Sequence, residues 1–334
     1  MKKTDKFINF LKGIGILLVV IGHVSENNYI SKIIYGFHMP LFFYVSGFGL
    51  SYANSDQSFK KFIKNKIKKI LVPYIIFSIL FLIYWYFIER RFRSDFGNIT
   101  SMIINIFFPM VNQKLYIPNI ALWFLPCLFV TYILFFFVSK NKYSLFLTII
   151  IFLLGVVLNR RGIVLPFCLE TSFIALLFMF IGYKYYKVIN IKSIFSVVGT
   201  IAGIIIYIYF VNNGYILDML AHKYSNFLLT IILPLFVIMF FLLIYKVLCK
   251  IKLNINSILY LGEHSLIILL FHEPLKRIVL KLVSIFSGLS VELMRNNVLL
   301  IFIISIIIII LILIFNQFFY KIKEIYIKKA NIDN

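Results

Sequence analysis

Three stretches of this chain carry side chains that can move protons, and each lies in a hydrophobic run. In the first, Lys12 and His23 are separated by ten small or apolar residues. Eleven steps of about 100° return nearly to the same helical face, with a rise of about 16 Å. Lys12 and His23 thus share one stripe, and Glu26 follows His23 at i+3, within reach if the helix continues. A His beside a carboxylate, shielded from bulk water, can take a proton from a hydroxyl and keep its imidazolium stabilised. Gly22 leaves room for a substrate against the backbone. A His that merely caps the helix end is the plain alternative.

The second stretch opens Phe37-His38-Met39-Pro40 and continues through Ser46, Gly47, Gly49 and Ser51. Pro40 is tolerated in a first turn. The small residues make a thin surface for close helix packing, and His38 is a candidate to join His23 in one cavity. The third runs Gly262-Glu263-His264-Ser265 and on to His272-Glu273-Pro274. Ser265 and His272 are seven residues apart, two turns on one face. Pro274 loosens the backbone there, so a structural polar pair in a kinked helix stands beside a substrate role. Lys60, Lys61, Lys64, Lys66, Lys68 and Lys69 precede Pro73 as a basic patch. It suits the phosphates of a soluble anionic donor or, more simply, anionic lipid. Trp123 reads as an interface aromatic and Glu170 as a boundary charge; both are also cavity-lining candidates.

The elements that position these groups follow from composition. Of 334 residues, 62% are hydrophobic and 14% charged, and the mean hydropathy is +0.99. A soluble domain carries about half apolar and a quarter charged residues, so a soluble globule, a disordered chain and a disulfide scaffold are all excluded. Hydrophobic runs place spans near 8–25, 33–52, 70–88, 120–139, 143–159, 166–186, 192–211, 225–248, 260–281 and 297–319. The expectation is an all-α polytopic membrane protein of about ten transmembrane helices, a single integral-membrane domain over 1–334. With both termini cytoplasmic, 22 of the 34 basic residues fall on the inner side, as the positive-inside rule requires. They include Lys2 and Lys3 at the start, Lys187 and Lys192 midway, and Lys321 to Lys329 in the tail. That distribution also explains the net charge of +22 without nucleic acid. Met1-Lys2-Lys3 and the first apolar run imitate a signal peptide, but no small-x-small cleavage site follows, so the run reads as a retained helix.

Two outer segments stand out. Residues 89–119 hold Arg90, Arg91 and Arg93 and then an apolar piece, Ile103 to Met110, too short to span, which fits a re-entrant or interfacial segment. Residues 212–224 form a second polar loop. Cys127, Cys168 and Cys249 have neither paired nor metal-ligand spacing. With no Walker-type loop and no His/Asp cluster of metal spacing, no metal is expected.

The order of these motifs resembles a known family. Phe10-Leu11-Lys12-Gly13 with Val19 to His23, Phe37 to Phe43 with Ser46-Gly47-Phe48, Leu122-Trp123-Phe124-Leu125, and Tyr260-Leu261-Gly262 with Ser265-Leu266 and His272 together resemble the acyltransferase family 3 membrane proteins. The likeness is greatest to the fucose 4-O-acetylase-like branch. It implies transfer of an acyl group, usually acetyl from cytoplasmic acetyl-CoA, to a hydroxyl of a glycan or lipid-linked sugar at the outer side of a bacterial cytoplasmic membrane. The family's basic-residue-x10-His pattern falls on Lys12 and His23, with Lys where the family commonly has Arg, which keeps charge but loses bidentate geometry. Arg positions the family carries ahead of a Pro fall on Lys66 and Lys69, again Lys. By this reading His23 and Glu26 are catalytic and Lys12, Lys66 and Lys69 bind the donor. The cavity candidates are His38, Ser46, Ser51, Trp123, Glu170, Ser265 and His272. A glycan or lipid-linked oligosaccharide transporter or flippase is the competing reading, since intramembrane His, Lys and Glu also line transport paths. The acceptor, the size of the acyl group and the oligomeric state are beyond the sequence.

Overall fold

In lipid there is no water to satisfy a backbone, so each hydrophobic run must close its own hydrogen bonds as helix. The computed structural model bears this out. It describes residues 3–26, 28–52, 57–92, 99–110, 118–185 and 194–330; the expectations for Lys2, Arg93, Lys187 and Lys192 lie outside them. The helices are α1 (Lys3–Val24), α2 (Tyr29–Tyr35), α3 (His38–Leu50), α4 (Phe59–Lys66), α5 (Val72–Phe87) and α6 (Ile99–Phe107). Then come α7 (Phe124–Ser139), α8 (Ser144–Arg160), α9 (Leu169–Tyr185), α10 (Ile194–Asn212) and α11 (Phe227–Lys250). The last four are α12 (Asn256–Glu263), α13 (Ser265–Ser287), α14 (Val291–Asn296) and α15 (Val298–Ala330). Among the described residues one antiparallel strand pair, Leu217–Asp218 with Lys223–Tyr224, interrupts the helices.

Each expected span coincides with a helix, but they are not equivalent. Seven helical segments among the described residues are long and apolar enough to cross a membrane, and Ser144–Arg160 and Val197–Asn212 are shorter apolar helices. The span expected over 260–281 is a helix of a different kind. It divides at His264 into α12 and α13, and α13 carries Glu273, Lys276, Arg277 and Lys281. Glu273, Lys276 and Arg277 belong to an internal network described below, whereas Lys281 is exposed.

Local breaks aim the functional side chains. The second span parts at Gly36 and Phe37, so α3 begins at His38 with Pro40 in its first turn. The basic run before Pro73 is helix: Ser58 accepts from the Lys61 amide at the start of α4, and α4 continues through a π-helical turn at Ile67–Leu71 into α5. Pro73 has no N–H to offer the carbonyl of Lys69, and the widened turn absorbs that loss. The apolar piece after the arginines, α6, is a short helix against α5. Its Met102 and Ile106 are buried, and the Ile106 carbonyl accepts from the Tyr74 hydroxyl at 2.9 Å.

Helix α1 runs along α3, α12, α13 and α15, and α9 packs on α3, α7 and α8. Close approach is purchased with missing side chains. A Cβ at Gly47 would fall on the Met179 backbone of α9, and one at Gly262 on the Asn9 backbone of α1. Gly49, expected on the same thin surface as Gly47, faces open space. Gly22 is occupied too: a Cβ there would meet Ile34 and Tyr35, and its carbonyl accepts from the Tyr35 hydroxyl at 3.2 Å. It is a contact for Tyr35, not a gap for substrate.

Gly47→Val should therefore cost about 1–3 kcal/mol and lower the melting temperature of the detergent-solubilised protein, whereas Gly49→Ala should leave it unchanged. Equal melting shifts for the two would contradict the packing.

Candidate functional site

Helix α1 stops at Val24, where the Ser25 amide and hydroxyl turn back to the carbonyls of Ile21 and Gly22. His23 is thus in the last turn, half-buried, and the chain beyond it leaves the helical path. Its partner comes from α13: His23 Nδ1 is 2.6 Å from Glu273 Oε1. A carboxylate only accepts, so Nδ1 carries the hydrogen, and in the neutral ring the lone pair is on Nε2. That is the tautomer of an imidazole ready to receive a proton.

Glu273 is itself held on several sides. Lys276 Nζ lies 2.8 Å from the same Oε1, and Arg277 Nη1 is 3.4 Å from Oε2. Arg277 continues outward, with its Nε 2.5 Å from Glu89 Oε1 and its Nη2 donating to the Pro118 carbonyl at 2.8 Å. Both acids are buried. Buried charges persist where they are paired and hydrogen-bonded, and this chain of contacts meets that condition.

Glu26 is not the partner of His23. With α1 ended, the i+3 geometry is gone, and Glu26 sits 3.1 Å from Arg295 Nη2 and 3.7 Å from Lys276 Nζ with its side chain 44% exposed. It belongs to the rim. The sequence did signal Glu273, as an ionisable group beside Pro274 in an apolar run, but no spacing rule links position 23 to position 273.

Two further histidines flank His23. The His272 ring centre is 5.0 Å from that of His23. His38 is buried with Nδ1 3.1 Å from the Ile34 carbonyl, and its ring is 5.2 Å from that of Tyr35, which is 5.9 Å from His23. Tyr35 therefore stands between the two histidines. His23, His272 and Glu273 offer three ligating atoms within 4.8 Å of one another, a grouping that linear spacing conceals. The carboxylate oxygen facing this group is already shared by His23 and Lys276, so a cation there would have to displace both.

A second cluster forms at the other end of α1's stripe. Lys12, half-buried, lies in electrostatic range of Lys66, Lys69 and Tyr132. Lys66 Nζ is 3.3 Å from the centre of the Tyr132 ring, a cation–π contact, and Tyr132 hydrogen-bonds Ser46. The three lysines are thus brought together, and Ser46 falls with them rather than with His23. Tyr132 carried no sequence signal, being one aromatic among many.

The remaining candidates are scattered. Glu170 is fully buried; its Oε1 is 3.1 Å from His222 Nε2 and its Oε2 accepts from the Leu165 amide at 2.9 Å. Trp123, expected at a lipid interface, is buried in the largest hydrophobic cluster, because a 3-10 turn at Ile120–Trp123 rolls it inward. Ser51 bonds the Phe48 carbonyl at the end of α3. Ser265 starts α13, half-buried, eight residues before Glu273. The three cysteines are free, Cys127 and Cys168 buried and Cys249 exposed.

A helical membrane bundle with an internal His–Glu pair in the last turn of a helix and a lysine cluster about three turns back along it defines the class of protein. A family model described as an acyltransferase domain, acyltransferase 3, matches residues 5–316, and the chain belongs to that family of membrane acyltransferases. Comparisons with curated proteins and with solved structures return no match.

Glu273→Gln keeps the shape but removes the charge that holds the His23 tautomer. It should lower acyl transfer by about 10²- to 10⁴-fold, by analogy with the buried carboxylate of a catalytic triad, while Glu26→Gln stays within a few-fold of wild type. Comparing the two initial rates checks the assignment, and the reverse order would refute it.

Proposed function

We propose that this protein transfers an acetyl group from cytoplasmic acetyl-CoA to a hydroxyl of a cell-surface or exported glycan, with His23 as general base or transient acyl carrier. The observation that carries the reading is the His23–Glu273 contact, which orients the imidazole in the last turn of a helix that carries Lys12 about three turns earlier. Family membership supplies acyl transfer. The likeness of the motifs to fucose 4-O-acetylases supports acetyl as the group and a sugar as the acceptor.

In the direct route, His23 Nε2 takes the proton as the hydroxyl oxygen attacks the thioester carbonyl. The C–S bond breaks, the imidazolium returns its proton to the departing thiolate, and Glu273 stabilises the imidazolium in between. In the two-step route, Nε2 attacks the carbonyl, the C–S bond breaks and the thiolate leaves. The hydroxyl oxygen then takes the acetyl group from the acyl-imidazolium, the N–C bond breaks, and the hydroxyl proton passes to the thiolate as the neutral ring is restored. Lys12, Lys66 and Lys69 bind the donor phosphates. About 16 Å of helix rise separates Lys12 from His23, a span that the pantetheine arm bridges past Ser46 and Tyr132. The protein lies in a bacterial cytoplasmic membrane with ten spans and both termini inside. A thioester made inside thereby meets a glycan displayed outside.

The test uses proteoliposomes of known orientation, with acetyl-labelled acetyl-CoA on the lysine-rich face and envelope glycans on the other. His23→Ala should lose at least about 10²-fold in transfer while remaining folded, and an unchanged rate would sink the assignment. Lys66→Ala combined with Lys69→Ala should raise the KM for acetyl-CoA about tenfold and change kcat much less.

A further inference from the structure

His272 is fully buried. Its Nδ1 lies 3.0 Å from the Ile268 carbonyl and 2.9 Å from the Leu269 carbonyl. Carbonyl oxygens only accept, so Nδ1 carries the hydrogen and Nε2 of the neutral ring presents a lone pair. Among the described residues that Nε2 has no hydrogen-bond partner, and a buried acceptor left unpaired is costly. The neighbouring ring, His23, has Nδ1 held by Glu273 and its side chain 20% exposed, so in the neutral ring its Nε2 is an acceptor at the edge of the same group. The two ring centres are 5.0 Å apart at an interplanar angle of 64°.

The surrounding donors are engaged elsewhere. Lys276 is bonded to Glu273, Arg277 to Glu89 and Pro118, Tyr35 to the Gly22 carbonyl, and Asn119 to the Leu270 carbonyl. Two adjacent acceptors lacking a donor call for a ligand with two closely spaced donors. Each nitrogen takes an O–H at about 2.7–3.0 Å, and the hydroxyls on neighbouring carbons of one sugar ring present two such donors side by side. A metal ion is the poorer occupant, because Glu273 Oε1 already binds His23 and Lys276.

We propose that His272 Nε2 accepts a hydrogen bond from the hydroxyl next to the one acylated, so that the substrate of this site is a vicinal diol. The proposal rests on the hydroxyl-acylation reading above and adds the class of acceptor. His272 binds the spectator hydroxyl and aims its neighbour at His23. A sugar with only an isolated hydroxyl leaves His272 unpaired, and a site built to bond a hydroxyl rejects an analogue lacking it.

The experiment uses the same proteoliposomes with envelope glycans from cells lacking the protein, either intact or oxidised with periodate and reduced with borohydride, which destroys vicinal diols and spares isolated hydroxyls. Wild type should label the intact pool at least about tenfold more than the treated one; equal labelling would overturn the proposal. His272→Gln, whose amide oxygen still accepts, should retain measurable transfer with a raised acceptor KM. His272→Leu, similar in bulk but unable to accept, should fall at least about tenfold below it. Leu matching wild type would make His272 a packing residue and end the proposal. Acetyl-CoA affinity of both variants reports whether they fold, and if neither does, the wild-type comparison of the two pools still decides. Labelling by His23→Ala at the wild-type rate would instead refute the underlying acylation reading.

Discussion

A carboxylate cannot remain charged inside an apolar bundle without partners, and the placement of Glu273 organises everything around it. It takes His23 from α1, Lys276 from its own helix one turn on, and Arg277, which in turn reaches Glu89 after α5 and the Pro118 carbonyl before α7. Removing one member of such a buried group costs about 3–5 kcal/mol because the others are left uncompensated. The network therefore ties four distant parts of the chain together and orients the imidazole in the same act. Stability and chemistry depend on one set of contacts here.

Helix α1 supplies the second constraint. Its rise sets the separation of Lys12 from His23, and a glycine on each helix lets α12 approach its backbone closely, with Gly13 of α1 against Ile258 and Gly262 of α12 against Asn9. The lysine cluster is completed from α4 and the π-helical turn that Pro73 provokes, while Tyr132 of α7 supplies an aromatic face for Lys66. Charges of one sign tolerate one another there because Lys69 is exposed and Lys66 rests on a ring. An anionic ligand would complete the balance.

Away from the His23 network, Glu170 and His222 fasten the loop that follows α10 to the start of α9. The backbone is unusual on both sides: Phe167, Cys168 and His222 all have positive φ, near 58°, 56° and 55°. Residues without a glycine's freedom hold that conformation only when their surroundings over-determine it. The Ser172 hydroxyl on the Cys168 carbonyl at 2.8 Å and the Glu170–His222 pair do so here.

Much of this was legible in the residues. Hydrophobic runs announced helices because lipid leaves a backbone no other solution, and the Lys12–His23 stripe follows from helical period alone. Pro40 marked where α3 starts. The misplacements share a cause. Glu26 looked like the carboxylate for His23 because i+3 is a helical neighbour, yet that holds only while the helix lasts, and it ends at Val24. Trp123 looked like an interface anchor because hydropathy does not say which face of a turn points inward. Sequence periodicity governs contacts within one element, where backbone geometry dictates distance. Only the tertiary structure decided which groups meet across elements, such as His23 with Glu273 and His272 or Lys12 with Lys66 and Tyr132. Those meetings are settled by helix packing and by the need of each buried charge for a partner, and neither leaves a fixed spacing along the chain.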